Sequence, residues 1–139
     1  IPVIANGDIT TVEKSLEVLR LTDADGLMIG RGAQGRPWIF RELNNLLDPV
    51  AENTQLEKIE LRDIMLGHLS DMHRFYGDLT GVRVARKHLT WYCKSLDNAA
   101  DFRHQVVRVD RASEQIRLTN EFFSNRPTCL KKQITTTKT

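Results

Sequence analysis

The sequence predicts an α/β stretch followed by an all-α stretch. Three observations carry this. Residues 1–47 alternate short apolar runs with segments of helical period; apolar residues from Leu56 onward recur only at helical spacing; and residues 48–55 between them have no period. With 139 residues, 40% hydrophobic and 27% charged, the chain has material for a core and a solvated surface, which excludes collagen-like and wholly disordered classes. No run approaches the ~18 apolar residues of a membrane-spanning helix. No charged segment leads into an apolar one, so no secretory signal and no membrane partner are expected. The net charge of +2 says little about partners. Cys93 and Cys129 fit no metal spacing, and a reducing, cytoplasmic setting is the expectation.

The first apolar run is Pro2-Val3-Ile4-Ala5, ended by Asn6-Gly7-Asp8. Apolar on both faces, it suits a buried parallel strand. Thr10 or Thr11 is placed to cap the next helix, with Glu13 in its first turn and Val12, Leu16 and Leu19 on one face. A second run, Gly26-Leu27-Met28-Ile29-Gly30, leads into the glycine-rich Gly30-Arg31-Gly32-Ala33-Gln34-Gly35, and Pro37 opens a helix to about Leu47. This is a repeating βα unit. Two parallel strands leave edges and apolar faces uncovered, so they are expected to complete a larger sheet. The chain starts at Ile1 within a strand-like run, which reads as the C-terminal piece of a longer protein.

The second stretch predicts four helices. Their faces are Leu61, Ile64, Met65, Leu69, Met72 and Phe75/Tyr76, ending near Gly77; then Val82, Ala85, Leu89, Tyr92 and Leu96; then Phe102, Val106 and Val109; then Ala112, Ile116, Thr119 and Phe123, ending before Pro127. Amphipathic helices with short connections suggest a small bundle. Residues 126–139, rich in Thr and Lys, read as a disordered tail.

Three motifs bear on chemistry. Asn6-Gly7-Asp8 lies at a strand's C-terminal end, where βα folds bind ligands, although these residues also suit an ordinary turn. Gly30–Gly35 follows the second strand, and its backbone N–H groups with Arg31 suit a phosphate as well as they suit a plain glycine-rich turn. One strand–helix–strand unit separates the two motifs, which puts both on one rim. Residues 79–96 carry Arg83, Arg86, Lys87 and Lys94 and no acid before Leu96. Arg83, Lys87 and Lys94 share a helix face with Arg86 at its edge, so the helix offers either a nucleic-acid stripe or a solvated face. Trp91 stands beside it, placed to stack on a base or to pack under a loop. His68, His73, His88 and His104 lack a metal-binding spacing, so no metal is expected, and neither cysteine reads as a nucleophile.

Together, Ile1–Ile9 and Asp25–Phe40 resemble the last two βα units of the tRNA-dihydrouridine synthases. Arg83-Val84-Ala85-Arg86-Lys87-His88 with Trp91-Tyr92 resembles the basic helix of their C-terminal domain, the bacterial B-type enzymes being most similar. The resemblance implies the last two βα units of a TIM barrel (residues 1–47), a linker (48–55), a C-terminal RNA-binding helical bundle (56–125) and the tail (126–139). It implies FMN as cofactor, NADPH as its reductant and tRNA as substrate, with hydride passing to C6 of a uridine while a cysteine protonates C5. Asn6, Gly7 and Asp8 would line the flavin site; Gly30 and Arg31 would bind its phosphate; Arg83, Arg86, Lys87 and Lys94 would contact RNA. The family's catalytic cysteine belongs to an earlier strand, so no catalytic residue is expected in this chain, and the piece alone is expected to be inactive. A non-catalytic RNA-binding module and another FMN-dependent barrel dehydrogenase are the alternatives; only the synthase reading uses both the glycine-rich turn and the basic helix.

Overall fold

The structure, a computed structural model, describes residues 1–48 and 56–125. The expected tail and all of the expected linker except Asp48 lie outside these residues. The chain divides into two compact units between Leu56 and Glu57, and each is described by itself.

In the first unit, β1 (Ile4–Asn6) and β2 (Gly26–Met28) pair in parallel, with Ile4 opposite Gly26 and Asn6 opposite Met28. Between them runs α1 (Val12–Thr22). Thr11 is its cap: Oγ1 accepts the Lys14 N–H at 3.1 Å, satisfying one of the donors a helix start leaves open. The helix ends at Asp23, whose φ of 51° is left-handed, a conformation short polar residues tolerate. Asp25 then pins the strands, its carboxylate accepting the Val3 N–H at 2.7 Å. A single 3₁₀ turn (Arg31–Ala33) follows β2, and α2 runs Ile39–Leu47. Pro37 therefore stands just ahead of the helix rather than in its first turn.

Ile9, Trp38, Ile39 and Leu43 form this unit's core, with Ser15 fully buried among α1's half-buried Val12, Leu16 and Leu19. The strands are not the buried ones their composition suggests: Val3, Ile4 and Met28 are all more than half exposed. A strand is buried only when elements cover its faces, and the sheet has two strands among the described residues.

The second unit is helical: α3 (Lys58–Ser95), α4 (Ala100–Val106) and α5 (Ala112–Asn125). At Gly77, φ 75° and ψ 166° interrupt α3, a conformation glycine adopts without penalty. The arms 58–76 and 78–95 run back along each other as a helical hairpin. His68 meets His88 and Tyr92 across it, and Gly81 packs against the Met72–His73 backbone so closely that a Cβ would lie 2.8 Å from His73 Cα. Leu61, Met65, Leu69, Val82, Ala85 and Leu89 are at most 1% exposed. Each buried Leu or Met of this set contributes about 1.5–3 kcal/mol. The hairpin packs on α5 and α4, where Phe102 and Phe122 stack with ring centroids 4.5 Å apart.

Five of the expected core residues, in three places, differ. Phe75 and Tyr76 are 82% and 48% exposed, because the hairpin turns at Gly77 and their turn of helix lies beyond the last packed layer. On α5, Ala112 and Ile116 are half-buried, and Gln115 and Phe122 face inward beside the expected Thr119 and Phe123. Val109 falls past the end of α4. The inward Gln115 is satisfied: its Nε2 donates to the Val82 carbonyl at 3.1 Å, which leaves Oε1 to accept His73 Nε2–H at 2.9 Å.

Candidate functional site

Because β1 and β2 are parallel, their C-terminal ends open on the same edge. β1 runs into Gly7 (φ 148°) and Asp8 (φ 42°), and β2 into Gly30–Gly32. These two loops enclose a cleft of about 340 Å³ lined by Asn6, Gly7, Asp8, Met28, Gly30 and Arg31, a size within the range of small-molecule sites. All five residues read from the sequence as cofactor contacts therefore lie together on one cleft.

Two features of it were not legible in the spacing. The Arg31 guanidinium donates to the Asp8 carboxylate, joining the loops across 23 positions. Both side chains are about three-quarters exposed, so this ion pair adds little to stability and Arg31 can exchange its partner for another anion. Gly32 is the point of closest approach: a Cβ there would lie 2.3 Å from the Ile9 carbonyl oxygen. At Gly30 a Cβ would meet nothing within 4 Å, so the turn leaves room above this residue.

In the helical unit, Arg83, Lys87 and Lys94 are exposed on the second arm of α3. Arg86 is not part of that exposed set. It bonds the Val109 carbonyl at 3.0 Å, pairs with Asp110, and buries an Nε that has no hydrogen-bond partner among the described residues. The run is free of acids along the helix, but Asp110 reaches Arg86 from beyond α4. Lys87 Nζ stands 5.1 Å from the centroid of the half-buried Trp91 ring, which meets His88 edge-to-face. Beneath lies His68, its Nδ1 3.1 Å from the Tyr92 hydroxyl. Burial holds the His68 imidazole below its usual pKa near 6.5, with Asp71 partly opposing. Burial likewise lowers that of His88, helped by His68 and Lys87, and pushes Tyr92 up to about 12.

The other histidines are accounted for separately. His73 is the core partner of Gln115, and His104 Nδ1 sits 3.1 Å from Arg108. Among the described residues, no three His, Cys, Asp or Glu side chains gather as a metal site. Cys93 is buried. No helix among these residues is long and apolar enough to cross a membrane.

Residues 1–131 match the family described as Dihydrouridine synthase (Dus). Among curated relatives, the chain is 46% identical over 125 residues to tRNA-dihydrouridine synthase B of Vibrio cholerae, covering 90% of this chain and 39% of that protein. It is 50% identical over 123 residues to the protein of the same name from Xanthomonas campestris, covering 88% and 37%. With that of Serratia marcescens it shares 44% over 135 residues, covering 97% and 40%. The chain thus spans about two-fifths of the length of these relatives.

Proposed function

Because the chain belongs to the dihydrouridine synthase family, we propose that it is the C-terminal part of a flavin-dependent, cytoplasmic tRNA-dihydrouridine synthase. Residues 1–47 are then the last two βα units of an FMN-binding TIM barrel, and 56–125 an RNA-binding helical bundle joined by the linker 48–55. The observation that carries this reading is the shared cleft: Asn6, Gly7, Asp8, Gly30 and Arg31 lie on one edge of a parallel strand pair.

The cleft fits a phosphate-bearing cofactor. The leading N–H groups of the 3₁₀ turn have no acceptor within that turn, Gly30 leaves space, and Arg31 supplies charge. Arg31 and the turn bind the phosphate, and Asp8 holds the guanidinium at the rim until an anion replaces it. Asn6 and Gly7 line the approach, where a side chain larger than glycine at position 7 would enter a left-handed conformation. FMN, reduced by NADPH, supplies the hydride chemistry when bound. No residue of this chain is assigned to proton transfer at the uridine, so the chain by itself does not turn over. Arg83, Lys87 and Lys94 contact the tRNA backbone, and Arg86 supports them by holding the Val109–Asp110 segment.

Two measurements on the full-length protein test this. Arg31→Ala removes a charged phosphate contact worth about 1.5–3 kcal/mol, so flavin occupancy after purification falls. Lys87→Ala makes the salt dependence of tRNA binding shallower by about one, whereas Arg86→Ala lowers the melting temperature. Wild-type flavin occupancy in the first variant, or wild-type affinity and slope in the second, overturns the corresponding assignment.

A further inference from the structure

The apolar stripes of both hairpin arms overshoot the core by one turn. On the first arm, Phe75 and Tyr76 follow Met72 at the spacing that keeps a helix face; on the second, Leu79 precedes Val82 the same way. Met72 and Val82 are buried, but Phe75, Tyr76 and Leu79 are 82%, 48% and 63% exposed. Residues 74–80 are exposed without a break. The two rings hold each other edge-to-face, centroids 4.8 Å apart and planes at 83°. Such a tip contributes nothing to the core that polar residues would not, so the fold does not explain it.

Helical geometry ties this tip to the cationic face. Leu79, Arg83, Lys87 and Trp91 follow at steps of four residues, about 6 Å apart along the axis, and Lys94 continues the row. The row therefore starts at an apolar tip, passes two exposed cations and reaches an indole that already carries Lys87 over its ring. The remaining charges near the tip are Arg74, paired with Asp71, and the exposed Asp78. Aromatic rings at both ends of a run of cations suit a strand of phosphates and unstacked bases, since every base has a face to stack and every phosphate a charge to meet.

We propose that Phe75 and Tyr76, at the hairpin tip, form a stacking platform for an unpaired base of the RNA whose backbone Arg83 and Lys87 hold. This rests on the RNA reading above and names a second contact for it. It commits to a nucleobase rather than to a protein surface, because the tip continues into a cationic row and not into a larger apolar patch.

The test uses the full-length protein with two probes, a single-stranded 12-mer of uridine and a blunt RNA duplex of the same length. Phe75→Ala should weaken single-strand binding roughly 5- to 150-fold, the range of one lost base–aromatic contact, with unchanged salt slope and melting temperature. Phe75→Trp should restore it, Phe75→Leu should not, and duplex binding should ignore all three. Single-strand affinity unchanged in Phe75→Ala overturns the platform. So does full rescue by Phe75→Leu, which marks a generic apolar contact such as a protein partner makes, or a fall in melting temperature, which marks a packing role. Lys87→Ala separates the two readings: a shallower salt slope beside an inert Phe75→Ala removes the platform alone, and no effect from either removes the RNA assignment as well.

Discussion

Gly32→Ala probes the cleft most directly. The added Cβ would stand 2.3 Å from the Ile9 carbonyl oxygen and 3.0 Å from Thr10 Cα. Both neighbours are backbone, so no rotamer change relieves the contact. The loops must part by about 0.7 Å to reach the 3.0 Å below which Cβ atoms essentially never approach. Ile9 resists this, because its side chain is 3% exposed and anchors the loop in the core. Overpacking of this kind costs about 1–3 kcal/mol. At roughly 2–4 °C per kcal/mol for a domain of 150–250 residues, the full-length protein should melt about 2–12 °C lower. The displacement also separates Asp8 from Arg31, and a shift near 1 Å can cost on the order of 100-fold in rate. The assays are thermal melting, flavin-to-protein ratio after gel filtration, and reduction of tRNA uridine. Gly30→Ala is the comparator: its Cβ meets nothing within 4 Å, so melting should hold while the methyl in the cleft lowers flavin retention. If Gly32→Ala melts with the wild type and keeps its flavin, the loops do not meet as described and the cleft argument fails.

Gln115→Leu keeps the volume but leaves the His73 Nε2–H without the partner it has now, while the Val82 carbonyl, inside the second arm of α3, loses only a second donor. The buried His73 orphan costs about 1–3 kcal/mol, and an unchanged chemical denaturation midpoint would count against the network. The helical unit should also lose stability in mild acid. Folded His68 and His88 have pKa values below the usual 6.5, so the unfolded chain takes up protons first as pH falls. Stability is then fully present above about pH 6.5 and declines below it toward the folded values. Melting followed from about pH 7.5 to 5.5 should show the decline, and the His68→Gln/His88→Gln variant should flatten it; equal slopes in both proteins would show that other groups cause it.

The sequence by itself determined the order of the helices and strands and several of their ends. Local chemistry sets these: Thr11 caps α1, the two apolar runs make β1 and β2, and Gly77 takes the conformation that breaks α3. It also placed Asn6–Asp8 and Gly30–Arg31 on one edge, because parallel strands put their C-terminal ends together. Tertiary structure decided what each side chain faces. Asp8 meets Arg31 across 23 positions, and Asp110 withdraws Arg86 from the cationic row across 24. Gly32 and Gly81 are points of backbone contact, which no local pattern distinguishes from glycines in open turns. Phe75 and Tyr76 continue an apolar period yet stand exposed, and Gln115 interrupts one yet is buried. Periodicity reports which residues share a face; whether another element covers that face depends on where the chain returns, and that is a property of the packed molecule.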